Sequence, residues 1–169
     1  MLTTTQYPVL FTYRDVVIGA GYVAHVEASG RFLIEDNGAG EDVWIYGVNP
    51  GGLAAKGPSQ KEAAEEFRAS YRTVLIDLAE ESVDFDAFKN QVEKFYWSTC
   101  EATEEDWQGA VTRVRKGEID SDWLAKKPAE RECKIKVTCI ASDRPQPQID
   151  ANPSMNSPSD SEAVKALAA

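Results

Sequence analysis

Residues 43–80, VWIYGVNPGGLAAKGPSQKEAAEEFRASYRTVLIDLAE, constrain the fold more than any other stretch of the chain. They read as an apolar-rich strand (Val43 to Val48), a segment broken by Gly and Pro (Asn49 to Pro58) and a long helix (Gln60 to about Glu80). Ser59-Gln60-Lys61-Glu62 has the form of a capping box, in which the Ser59 hydroxyl accepts from the Glu62 N–H and the Glu62 carboxylate reaches back. Phe67, Tyr71, Val74, Leu75 and Leu78 then recur at helical spacing as one apolar stripe, which predicts a helix lying on a sheet. In the strand, Val43, Ile45 and Gly47 mark one face and Trp44, Tyr46 and Val48 the other. Both faces are apolar, which predicts a central strand covered on each side.

The residues before this stretch read as strands. Tyr7 to Ile18 is rich in β-branched and aromatic residues, with Arg14-Asp15 as an interruption. Gly19-Ala20-Gly21 is a break, Tyr22 to Glu27 a second strand, Ala28-Ser29-Gly30 a tight connection and Arg31 to Glu35 a third strand. Asp36 to Gly40 (DNGAG) is a turn. The residues after it read as helices. Asp84 caps a stripe of Phe85, Phe88, Val92 and Phe95, and Thr103-Glu104-Glu105-Asp106 resembles another capping box, with Gly117 as the stop. Cys133 to Ala141 alternates, with Ile135, Val137 and Cys139 facing one way, and reads as a final strand.

The expected fold class is α+β: an antiparallel meander of three to four strands with a helix packed on it, a helical insertion at 82–127 and a last strand (β-β-β-α-[α-α]-β). One domain spans 1–142, and the Pro/Ser/Asp-rich residues 143–169 read as a disordered tail. The formal net charge of −10 opposes broad binding to a phosphate backbone and suits a basic partner. Ser59 to Glu132 alone holds 18 acidic and 11 basic residues, a net of −7. No signal peptide or membrane span is visible, and three cysteines without CxxC spacing read as reduced thiols, so a cytoplasmic location is expected.

No catalytic, cofactor-binding or metal-binding set emerges. His25 is the only histidine, and Cys100, Cys133 and Cys139 lack an identified base. Asp15, Glu27, Glu35 and Asp36 are the strand carboxylates a metal-dependent nuclease or hydrolase would need, and they read better as a solvated face. Gly51, Gly52 and Gly57 lack phosphate-loop spacing and read as a turn. Trp44 with Tyr46 could stack bases, as in a standalone RNA-binding regulator; packing beneath the inserted helices is the preferred reading.

The passage Asn49-Pro50-Gly51-Gly52-Leu53-Ala54-Ala55-Lys56-Gly57-Pro58-Ser59-Gln60-Lys61-Glu62-Ala63, set between a strand and a capped helix, resembles the N-terminal domain of HicB-like antitoxins. The match rests on the Gly57, Ser59, Glu62 and Ala63 spacing and covers residues 7 to 80, with the last strand as a fourth. The family's cysteine in this passage is absent, the 82–127 block is an insertion, and no DNA-binding segment follows the last strand, so DNA binding is not expected. The resemblance implies a partial ribonuclease-H-like fold without nuclease chemistry. It also implies a non-enzymatic antitoxin of a toxin–antitoxin system, which neutralises a small basic RNA-acting protein by direct contact. An interface drawn from the strand, loop and helix would use Trp44, Tyr46, Asn49, Gly51, Gly52, Arg68 and Arg72. A homo-oligomer is also allowed for.

Overall fold

The computed structural model of the protein describes residues 4–38, 40–124 and 133–143. β1 (Thr5–Gly19) and β2 (Tyr22–Asp36) form a long antiparallel hairpin, paired from Thr5↔Asp36 to Gly19↔Tyr22. The chain continues through β3 (Val43–Asn49) and β4 (Ala54–Gly57), then α1 (Gln60–Glu81), α2 (Phe85–Trp97), α3 (Glu101–Arg115) and β5 (Lys134–Ser142). This is the α+β architecture expected: an antiparallel meander, helices, and a closing strand. The tail beyond Asp143 and residues 125–132, which include the end of the expected insertion, lie outside the described residues. No helix among the described residues is long and apolar enough to cross a membrane.

Two local expectations are corrected. Arg14-Asp15 does not interrupt β1, and Ala28-Ser29-Gly30 is not a connection; β2 runs straight through it. A residue without a side chain is needed at Gly30 because neighbouring groups come close. A Cβ on Gly30 would clash with the Asn49 carbonyl and lie 2.8 Å from the Phe11 ring. The Gly/Pro-broken segment also hides β4, which pairs with β3 from Val43↔Gly57 to Tyr46↔Ala54. β3 is therefore internal to the order β1-β2-β3-β4, as its two apolar faces require.

The sheet forks at Gly30. Along one side of β2 lies β1. The other side is shared: β5 pairs with Tyr22 to Ser29, and β3 pairs with Arg31 to Glu35. The Tyr96 hydroxyl of α2 donates to the Ser29 carbonyl at the fork.

Each face of the sheet receives its own helices. On the inner face, Phe11, Tyr13, Val26, Phe32 and Ile45 meet Phe67, Tyr71 and Leu75 of α1 and Phe88, Val92 and Tyr96 of α2. Each such burial contributes roughly 1.5–3 kcal/mol. Ser59 caps α1, its Oγ accepting from the Glu62 N–H at 3.3 Å and donating to Glu62 Oε2 at 2.9 Å. Asp84 caps α2, accepting from the Ala87 N–H at 2.9 Å. On the outer face a second, smaller cluster forms: Trp107, Ala110 and Val111 of α3 lie on Leu33, Val48 and Leu10. α3 begins at Glu101, ahead of the expected box at Thr103, and ends as expected with Gly117 at φ 75°.

Candidate interaction face

The outer face of β3 answers the question its sequence raises. α3 covers Val48, together with Leu33. It does not bury Trp44 and Tyr46, which stay partly exposed. Their rings stack on each other, with centroids 5.9 Å apart and planes 6° from parallel. Trp44 and Tyr46 are two residues apart on one strand and so share a face. Across the sheet, Gln6, Glu35, Trp44 and Lys56 fall in register as one row. Lys56 Nζ stands 5.4 Å from the Trp44 ring centroid and 3.0 Å from Asp42 Oδ2. Gln6 Nε2 donates to Glu35 Oε2 at 3.3 Å. Burial first, and then the nearby Glu35 charge, raises the Tyr46 hydroxyl above its ordinary range.

A polar latch holds α3 beside this aromatic pair. Arg31 Nη1 and Nη2 bind Glu104 Oε1 and Oε2 at 2.6 and 2.7 Å, a two-point clamp. Arg31 Nε and Nη2 also donate to Asn49 Oδ1 at 2.9 and 2.6 Å, and the guanidinium lies 4.9 Å from the Trp107 ring centroid. The hydrogen bonds from Arg31 hold the Glu104 carboxyl below its usual range, with lesser help from Gln108. At the far end of α3, Arg113 Nη2 donates to Gln6 Oε1 at 2.6 Å. Nothing in the sequence flags Arg31 and Glu104 as partners. Glu104 sits within an apparent capping box, but the fold uses it to bind a residue 73 positions earlier.

The seven residues drawn from the sequence do not share one surface. Trp44 and Tyr46 lie on the outer face. Asn49 is buried, its side-chain oxygen taken by Arg31. The Gly51 N–H donates to the Ser98 carbonyl at 2.8 Å where α2 passes to α3, and Gly52 is exposed near Phe95. Arg68 and Arg72 belong to α1, on the other layer, where Arg68 Nη2 donates to the Thr12 carbonyl at 2.9 Å and Arg72 Nε pairs with Asp15 Oδ2 at 3.5 Å.

The strand carboxylates do not converge. Asp15 points to the inner face with Tyr13 and Arg72, whereas Glu27 and Glu35 lie on the outer face, eight residues or roughly 26 Å apart along β2. Among the described residues no group of three His, Cys, Asp or Glu side chains is placed to hold a metal ion. His25 sits on the outer face in register with Val16 and Thr138. An open depression of about 420 Å³ lies between the β2–β3 turn and the start of α1, lined by Asp36, Glu41, Ser59 and Gln60 among others.

Cys100, Cys133 and Cys139 are free thiols, and Cys100 is exposed just before α3. The Thr103 hydroxyl, and then the Thr103 and Ala102 N–H groups, favour its thiolate and hold it below the usual thiol range, although no side-chain hydrogen bond caps the helix. Comparison with models of protein families, with curated proteins and with solved structures returned no match.

Proposed function

We propose that this protein is a non-catalytic interaction module that binds a small basic protein through the Trp44–Tyr46 face, in the manner the HicB-like resemblance implies for an antitoxin. One observation carries the reading: a stacked, partly exposed aromatic pair stands on the outer sheet face beside the patch of Leu10, Leu33 and Val48 that α3 covers. Aromatic side chains presented on a rigid strand are typical anchors of protein interfaces. A chain with a net charge of −10 attracts a cationic partner over a distance and repels polyanions.

The test is capture on the immobilised full chain from a lysate of the source cells, with and without ribonuclease, followed by mass spectrometry. The reading expects a small basic protein that is retained after ribonuclease treatment. Recovery of the chain alone sinks it. The parallel rings also suit stacking of an unpaired base. Recovery of RNA without that protein would favour the RNA-binding regulator instead.

A further inference from the structure

Among the described residues the sheet has three outer strands, β1, β4 and β5, and they are not equally open. β4 has four residues and runs into Pro58. β1 has fifteen, but its free edge is closed at intervals. In an antiparallel ladder the N–H and C=O of one residue point to the same side, and successive residues alternate. The even-numbered residues of β1 face away from β2. Pro8 offers no N–H on that edge, Arg68 occupies the Thr12 carbonyl at 2.9 Å, and Asp15 Oδ1 accepts from the Val16 N–H at 2.8 Å. A proline and bound side chains at such positions block pairing with another strand.

Among the described residues β5 has no proline and no side chain bound to the backbone of Ile135, Val137 or Cys139. Its exposed Lys134 and Lys136 lie on the outer face, and its bulge lies beyond Cys139, at Ile140. The Asp143 N–H donates to the Gly21 carbonyl at 2.9 Å, so the odd-numbered residues of β2 point toward β5. In the pairs Ser29↔Lys134, Glu27↔Lys136 and His25↔Thr138, β5 therefore spends the backbone groups of its even-numbered residues on β2. Ile135, Val137 and Cys139 direct theirs to the opposite edge, with which no strand of the described residues pairs. The same three side chains pack on the inner-face core.

We propose that this edge is a homodimer interface, in which β5 of a second copy adds antiparallel about a two-fold axis at Val137. In that register Val137 faces its own counterpart and Ile135 faces Cys139 of the second copy. These three pairs each exchange two hydrogen bonds and extend the apolar inner face. On the outer face Lys136 meets Thr138 and Lys134 meets Ile140, so no lysine opposes a lysine. The Lys134 stem also covers Ile140, which is 58% exposed. Moving the axis to Lys136 would oppose that lysine to itself, which is unfavourable. The guarded β1 and short β4 stop further strand addition, so the assembly closes at two copies.

Sedimentation of the full chain reads the assembly, and the expected mass is about twice 18.6 kDa. Ile135→Pro removes one edge N–H without touching the β2 ladder, and is expected to sediment as a single folded chain. Independently, Lys136→Cys and Thr138→Cys chains are prepared with Cys100, Cys133 and Cys139 replaced by Ser. Opposite residues of a wide pair have Cα atoms about 4.5 Å apart, within disulfide reach. Mixing the two chains under mild oxidation is therefore expected to give a cross-linked dimer that neither gives alone. A monomer at every concentration overturns the proposal. So does a dimer that persists in folded Ile135→Pro, or a mixture that fails to cross-link. Should Ile135→Pro not fold, the cross-link decides.

Discussion

Glu104→Ala tests whether α3 is a separately docked element. The substitution removes both oxygens that Arg31 clamps at 2.6 and 2.7 Å, and leaves Arg31, 18% exposed, with Asn49 and the Trp107 ring. Exposed ion pairs contribute about 0.2–1 kcal/mol and breaking a buried one costs about 3–5 kcal/mol. With Glu104 itself 32% exposed, a loss of about 2 kcal/mol is expected, within the range of hydrogen bonds to charged groups. The latch joins α3 to the small outer cluster and leaves the inner core untouched, so the loss should appear as local opening. Native-state hydrogen exchange reads this directly. Amides of α3 should exchange roughly 30-fold faster, while the slowest amides of α1 change little. Because the folded Glu104 carboxyl lies below its unfolded value, its contribution is complete above the unfolded pKa and is lost as pH falls through the folded one. The difference between wild type and variant should therefore persist from neutral pH down to about 4.3 and shrink only below it. Unchanged exchange in α3, or equal acceleration in α1 and α3, would refute the reasoning.

Three further outcomes follow. Gly51→Ala places a Cβ 2.6 Å from the Ser98 carbonyl and 2.7 Å from the Cys100 nitrogen, so the α2–α3 connection must shift. A loss of about 1–3 kcal/mol is expected in urea unfolding, and an unchanged midpoint would contradict the close approach. Cys100, exposed and with its thiolate favoured, should be the first thiol alkylated by iodoacetamide near neutral pH, as read by peptide mass spectrometry; earlier labelling of Cys133 or Cys139 would speak against it. Removing the β1 guards together, with Pro8→Val, Asp15→Ala and Arg68→Ala, should convert a closed assembly into larger species by light scattering, whereas an unchanged size would mean that these residues do not protect the edge.

Caps and apolar periodicity carried much of the fold into the sequence. Ser59 and Asp84 start α1 and α2 where the expected hydrogen bonds form, and the two apolar faces of residues 43–48 identify an internal strand. The misread places share a cause: the local chemistry is ambiguous until distant groups arrive. Ala28-Ser29-Gly30 resembles a turn because its residues are small, but Gly30 lacks a side chain to admit the Asn49 carbonyl and the Phe11 ring. β4 is four residues long and lacks any β-branched residue. Of the candidate face, Trp44 and Tyr46 were legible because alternation puts them together. The Arg31–Glu104 clamp was not, since neither residue's neighbours encode a contact across 73 positions.

The most direct test of the central claim compares partner capture by wild type and by the Trp44→Ala/Tyr46→Ala variant, each confirmed folded by circular dichroism. With the basic protein recovered in the capture experiment, titration calorimetry gives both affinities. Loss of two interface anchors should cost about 2–4 kcal/mol, a roughly 30- to 1,000-fold weaker Kd. A folded variant that binds this protein as tightly as wild type would contradict the assignment of the Trp44–Tyr46 face.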